Sequence, residues 1–478
     1  MKKILNWVLA AALICGTSVF TSCSSDNDDN PAQEQAKKNR KEFIQHTRAT
    51  MKNLAENLNF TSWNAANNLN LYFNQYVLNN PEFNQAVLLA FTEKVLLSYK
   101  PVEEGSELAE MGYTGYGTVD LTEFNYRFTE NADNTGFDVE EADDFEVILN
   151  GWNAMTQQVE NGIYKLTLKA GGSQRFKFVQ ASRLLEGFAI VVIMPSEFQF
   201  AISNKHSGTW EDGFSGSFQN DVNVAAGHEY AQLARDTWSV SGSVSSNFQA
   251  VPSLNEKADK STVNFSIVNN REDYTGNYAF SWEQNGRKML DLTLKQGRDA
   301  SGGIANIDLS QFTSASSLLD LLAAWMTTRN LDEAKITLLD DLTTTLSISD
   351  MTKALELARA STSARRNYAD EATIDQYTQQ LNALIKAEMT CKGVSQTIPM
   401  RLTTQKFGVD YWTMPAFNFA DENGYVALTD LLDTESVQYG INIIDHAAEP
   451  MQQSIIVVRQ LLQYVQTLFG TYQQQQGE

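Results

Sequence analysis

Between Tyr113 and about Lys295 the chain alternates apolar and polar residues, and this stretch limits the fold more than any other. Side chains on a strand point to opposite faces in turn, so a period of two means one buried face and one wet face. Ile163-Tyr164-Lys165-Leu166-Thr167-Leu168, Thr237 to Val244 and Tyr278-Ala279-Phe280-Ser281-Trp282 read this way. Phe188 to Met194 is apolar throughout, which predicts burial on both faces. Asn150-Gly151, Asn161-Gly162 and Asn285-Gly286 read as two-residue hairpin turns, because a type I′ turn needs positive φ at both positions; Gly171-Gly172 is a fourth such pair. The stretch predicts about eight to twelve antiparallel strands, as an open meander covered by helices or as a half-barrel.

The flanks have a different period. Residues 36 to 99 read as three helices. Their apolar stripes carry Ile44, Met51, Leu54 and Leu58, then Trp63, Leu69, Phe73 and Val77, then Phe83, Val87, Phe91 and Val95. Asn80-Pro81 is a cap followed by a proline at the first helical position. Short connections predict a small antiparallel bundle. After residue 300 the pattern mixes: a short apolar helix over Ser316 to Met326, two strands over Ala334 to Leu346, a helix capped by Asp350, another from about Asp370 to Met389, strands from Gln396 to Thr429, and a long amphipathic segment from Thr434 to Tyr472 broken by Pro450. The expectation is an α+β fold: N-terminal helical bundle over 37–100, central antiparallel β-sheet or half-barrel over 110–300, and a mixed α/β C-terminal part over 301–478 with a long closing helix.

Charge excludes one class of partner. Against 36 Lys and Arg stand 58 Asp and Glu, a formal net charge of -22. Nucleic acid needs a basic patch, and this field repels it. Cysteine use excludes another device: Cys15, Cys23 and Cys391 are the only three, and Cys391 reads as a small buried hydrophobe.

Motifs for chemistry are sparse. Gly112, Gly115 and Gly117 lack the strand before and helix after that a phosphate cradle needs, so they read as turn flexibility. His46, His206, His228 and His446 form no helical pair for zinc. His206 and His228 flank one β stretch and could meet across strands as part of a nucleophile-base arrangement. The acidic run Asp138, Glu140, Glu141, Asp143 and Asp144 offers the oxygen ligands calcium takes, although an EF-hand counted from Asn131 would put Ala142 at its twelfth position. No cofactor motif is present. Trp152, Trp210, Trp238 and Trp282 lie in the β region, as core or as faces for sugar rings.

The N-terminus carries an address. Met1-Lys2-Lys3 precedes an apolar run from Ile4 to Phe20, then Thr21-Ser22-Cys23, then Ser24-Ser25-Asp26-Asn27-Asp28-Asp29. This is the plan of a secretory signal peptide. With Cys23 after small residues and an acidic run beyond it, the chain resembles bacterial surface-exposed lipoproteins of the Bacteroidota type, although Phe20 stands where a leucine is usual. The resemblance covers the first thirty residues or so. It implies residues 1–22 as a lipoprotein signal peptide, lipidation of Cys23, a disordered tether over 23–36, and anchoring in the outer membrane at the cell surface.

These readings point to an envelope lipoprotein acting as a binding or structural module. Its expected partners are the membrane, through the lipid, and a polysaccharide or another envelope protein. A surface-anchored hydrolase, or an envelope assembly factor with an apolar cavity, are the competing expectations.

Overall fold

A computed structural model describes residues 31–57, 80–133, 135–153, 157–182, 185–206, 208–231, 237–246, 260–270, 275–297, 331–420 and 424–432. Strands hold 53% of it and helices 26%, so the α+β expectation gives way to a fold dominated by large sheets. The chain divides into two compact units, one of Met1–Phe60 with Asp273–Ile455, the other of Thr61–Glu272 with Ile456–Glu478.

The expected N-terminal bundle is not what the helices build. Helix α1 (Pro31–Asn57) falls in the first unit and α2 (Pro81–Leu97) in the second. Each covers a sheet. An apolar stripe states that a helix face needs a cover, and a sheet satisfies it as well as another helix does. The local signals were sound: Asn80 Oδ1 accepts the N–H groups of Glu82 and Phe83, ahead of Pro81 in the first turn. The stripe from Trp63 to Val77, the helix over Ser316 to Met326 and the closing segment from Thr434 lie outside the described residues.

The second unit holds β1 (Lys100–Pro101), α3 (Glu107–Glu110), β2 (Gly115–Asp120), β3 (Tyr126–Glu130), β4 (Phe137–Glu141), β5 (Phe145–Asn153), β6 (Gln158–Ala181), β7 (Phe188–His206), β8 (Thr209–Asn223), β9 (Thr237–Ser246) and β10 (Ser261–Asn270). Strands β5 to β10 pair in sequence order, each antiparallel to the next. The sheet is nevertheless mixed, because β2 runs parallel to the first part of β7 and β3 parallel to β5. Between β2 and β6, the start of β7 is buried on both faces: Phe188 joins Phe83, Phe128 and Val147 on one side, Ala189 and Val191 join Leu108 and Tyr230 on the other. Helix α2 closes the first of these clusters.

Three of the four turn dipeptides lie inside strands. Asn150-Gly151 sits in β5 at a register shift, opposite Asn161-Gly162 in β6. Gly171-Gly172 marks a second shift in β6, with Gly172 at φ +83°. These are bulges: Gly162 and Gly172 take the positive φ a tight turn would need, +59° and +83°, and Gly151 has no room for a Cβ, which would meet the Tyr164 ring. Asn150 is buried and ties its bulge together, its Nδ2 donating to Asn131 O and its Oδ1 accepting from Gly162 N–H. Gly115 and Gly117 are strand residues of β2, not turn residues.

The first unit is an antiparallel meander, β11 (Thr275–Gln284), β12 (Arg287–Gln296), β13 (Leu331–Leu338), β14 (Leu342–Ile348), β15 (Ile385–Cys391), β16 (Ile398–Phe407), β17 (Asp410–Asn418) and β18 (Tyr425–Ala427), each paired with the next. Asn285-Gly286 is a genuine turn here, with φ of +52° and +75° joining β11 to β12. Helices α4 (Met351–Arg366) and α5 (Glu371–Leu384), capped by Asp350 and Asp370, are inserted between β14 and β15, and α6 (Leu428–Leu431) follows β18. The helix expected to reach Met389 ends at Leu384, because Ile385 to Cys391 pair with β14 instead. Alternation decides the layering. Leu342, Thr344, Leu346 and Ile348 of β14 are all buried, and across from them Cys391 and Met389 of β15 are too. Near the β13–β14 turn that face is covered by Phe43, Met51 and Leu54 of α1; farther along it is covered by Met351, Leu355 and Leu381 of α4 and α5.

Candidate functional site

The arrangement that packs α1 on the meander also gathers the most reactive side chains. Leu339 and Asp340 both adopt positive φ, +52° and +53°, and Asp341 N–H bonds Leu338 O at 2.9 Å, so the β13–β14 connection is a tight turn that places Asp341 beside α1. Cys391 ends β15 opposite Leu342, on the covered face. Lys392 N–H bonds Asp341 O at 3.1 Å and fixes the two strand ends together. From α1, His46 Nδ1 lies 2.9 Å from Asp341 Oδ2, and Thr50 Oγ1, one turn on, donates to the same oxygen at 3.1 Å. Asp341 Oδ1 is shielded from solvent and has no hydrogen-bond partner. One ligand atom each from His46, Asp341 and Cys391 lie within 4.8 Å of one another, and this is the one such group of three among the described residues. Glu42, one turn before His46, belongs to the same patch. Gly393 is tight against it, since a Cβ there would lie 3.3 Å from His46 Nε2 and 3.7 Å from Glu42 Oε2.

This trio is not a nucleophilic triad. Burial, with the negative charges of Asp341 and Glu42 adding to it, pushes the Cys391 thiol up to about 12. A thiol needs a lowered pKa to attack at neutral pH, so Cys391 is inert as a nucleophile. Sequence reasoning missed the group because 295 residues separate His46 from Asp341, and only the register of β14 with β15 brings Cys391 back to them.

The residues singled out from sequence go elsewhere. Cys23 and His446 lie outside the described residues. His228 is exposed, in the loop after β8, with Nδ1 2.9 Å from Glu107 Oε1. Burial alone would raise the Glu107 carboxyl, but Glu229 N–H and His228 bond it and hold it below the usual range. The loop's next residue but one, Tyr230, packs on Ala189 and Val191 at the start of β7. His206 ends the same strand, paired with Thr209. At about 3.3 Å per residue the two histidines are therefore tens of ångströms apart, at opposite ends of β7, and cannot share a reaction centre.

The acidic run does not converge either. Asp138, Glu140 and Glu141 are exposed on β4, which pairs with β3, and Asp143 and Asp144 follow it. Arg127 bonds Glu140 at 2.8 Å and Glu146 at 2.6 Å, and Lys169 bonds Asp144 at 2.8 Å. Those carboxylates hold Arg127 and Lys169 above their ordinary values. The pattern is that of a charged strand rim rather than a calcium cage.

The sheet of β7 to β10 has two unlike faces. One carries Phe200, Phe214, Phe218 and Phe265, ring to ring at 5.4 to 5.7 Å. The other carries Ser215, Ser217 and Gln219 of β8, Ser239, Ser241, Ser243 and Ser245 of β9, and Thr262, Asn264 and Ser266 of β10, in register and none of them buried. On the same polar face Trp210 has the Lys165 and Lys205 ammoniums 5.0 and 5.6 Å from its ring centre. Trp238 is half-buried on the aromatic face, and Trp282 packs against the core of the first unit. An apolar cavity of about 80 Å³ lies between α4, α5 and β14 to β16, lined by Leu346, Ile348, Met351, Leu355, Leu381 and Leu402. Ligand pockets run to several hundred Å³, so this one is a packing void. Among the described residues no helix is long and apolar enough to cross a membrane. No protein family, characterised protein or solved structure matches the chain.

Proposed function

We propose that this chain is a lipid-anchored envelope protein that acts as a binding module, with polysaccharide as its ligand. The anchor rests on the Lys2-Lys3, Ile4 to Phe20 and Cys23 pattern. The binding reading rests on one observation: the in-register rows of hydroxyl and amide side chains across β8, β9 and β10, all at least partly open to solvent. Hydroxyls both donate and accept, and a rigid sheet holds them at fixed spacing, which is the complement a sugar chain presents. The net charge of -22 favours a neutral or cationic glycan over an acidic one.

A glycan array probed with the soluble form lacking residues 1–23 tests this. Binding to at least one neutral polysaccharide is expected, and the double variant Ser217→Lys, Ser241→Lys abolishes it while leaving the thermal midpoint within a degree or so, since these are surface positions. Binding to no polysaccharide, or undiminished binding by the variant, removes the reading.

A further inference from the structure

We infer that His46, Asp341 and Cys391 form a binding site for a zinc-type transition-metal ion. The inference is independent of the polysaccharide reading and concerns the other unit of the chain.

Three observations carry it. The donor set is one imidazole nitrogen, one carboxylate oxygen and one sulfur, from three separate elements, within 4.8 Å of one another. Ligands around tetrahedral zinc, at about 2.0 to 2.3 Å from the ion, are about 3.3 to 3.8 Å apart, so side-chain shifts of about 1 Å close the site. Next, the hydrogen bonding of Asp341 is lopsided. His46 and Thr50 both serve Oδ2, whereas Oδ1 is shielded from water and meets no donor. An ordinary histidine–aspartate pair accounts for Oδ2 and leaves Oδ1 unexplained; a cation supplies what it lacks. Finally, a further carboxylate stands at the rim: Glu42, with Lys38 3.9 Å from it, faces the same Gly393 as His46.

The sulfur selects the metal. Calcium and magnesium take oxygen ligands, whereas thiolate with imidazole suits zinc and its neighbours. On binding, the Cys391 S–H proton leaves to solvent as the metal–sulfur bond forms, and His46 binds as the neutral imidazole. The fourth position falls to water or to Glu42. The ion would tie α1 to the β13–β14 turn and the end of β15.

The test uses the soluble form lacking residues 1–23, stripped with a chelator and dialysed against Zn²⁺ or Co²⁺. One equivalent is expected, with Zn²⁺ at a hundredfold excess over its Kd raising the thermal midpoint by roughly 5–10 °C. The Co²⁺ form shows a thiolate charge-transfer band. Cys391→Ser removes that band, and His46→Ala, at a half-exposed helix position where alanine is tolerated, lowers zinc affinity at least tenfold. No metal uptake by the stripped protein overturns the inference. So does uptake with no thiolate band, or with affinity unchanged in His46→Ala, because the metal then sits elsewhere.

Discussion

Phe43→Ala lowers the stability of the first unit by about 3–5 kcal/mol, the cost of emptying a large aromatic site that cannot collapse. Phe43 is fully buried, with its ring centre 5.0 Å from that of Phe417 and 5.3 Å from that of Phe419. Those partners lie at the far end of the sequence, on β17 and just after it. Natural domains are stable by about 5–15 kcal/mol, so one such change removes a large fraction. Urea unfolding followed by the Trp282 and Trp412 region reads it directly, because both rings pack against the cluster that Phe43 joins. A helix bundled with its sequence neighbours would give another outcome: the C-terminal strands would unfold at the wild-type midpoint.

Gly117→Val costs about 3 kcal/mol or more in the second unit, for the opposite reason. Nothing is emptied; a side chain is forced into backbone. A Cβ on Gly117 would sit on the Val95 carbonyl oxygen and 2.7 Å from Val95 Cγ1. Helix α2 comes this close because Ser98, at its end, is clamped to β2: its Oγ accepts Thr118 N–H at 2.7 Å and donates to Thr118 O at 2.8 Å. Overpacking against side chains costs about 1–3 kcal/mol, and a carbonyl yields less than a side chain does. Gly112→Ala is the contrast, since open space surrounds that position, and its cost comes only from φ +88°. Thermal unfolding of the two variants ranks them. Equal, small losses would mean that α2 does not rest on β2.

These two residues show what was legible. Signals contained within a few residues held: the caps Asn80 and Asp350, the helix start near Asp370, the Asn285-Gly286 turn, the strands flanking residues 339–341, and the apolar run at the start of β7. Signals whose meaning depends on a distant partner did not. Asn150-Gly151 has the chemistry of a turn, and whether it turns or bulges is decided by β6 opposite. Gly117 looks like flexibility until α2 lies across it. Phe43 is not on the stripe read through Ile44, and its ring partners Phe417 and Phe419 lie more than 370 residues away in sequence. The parallel direction of the pairs β2–β7 and β3–β5 was not legible: the apolar run of β7 announces burial on both faces, but side-chain patterning is blind to strand direction. The His46, Asp341 and Cys391 group was illegible for the same reason: a residue type at each place, and no spacing to read.

The proposed function depends most on Cys23, since a polysaccharide-binding module serves a cell only where it is held. More than one acyl chain makes anchoring stable, at about 0.8 kcal/mol per buried methylene, and the net charge of -22 supplies no attraction of its own to an anionic surface. Membrane fractionation of cells expressing the wild type and Cys23→Ser decides the matter. The wild type is expected in washed outer membranes and accessible to protease on intact cells, with Cys23→Ser recovered in the soluble fraction. A Cys23→Ser protein that stays in washed membranes would contradict the account.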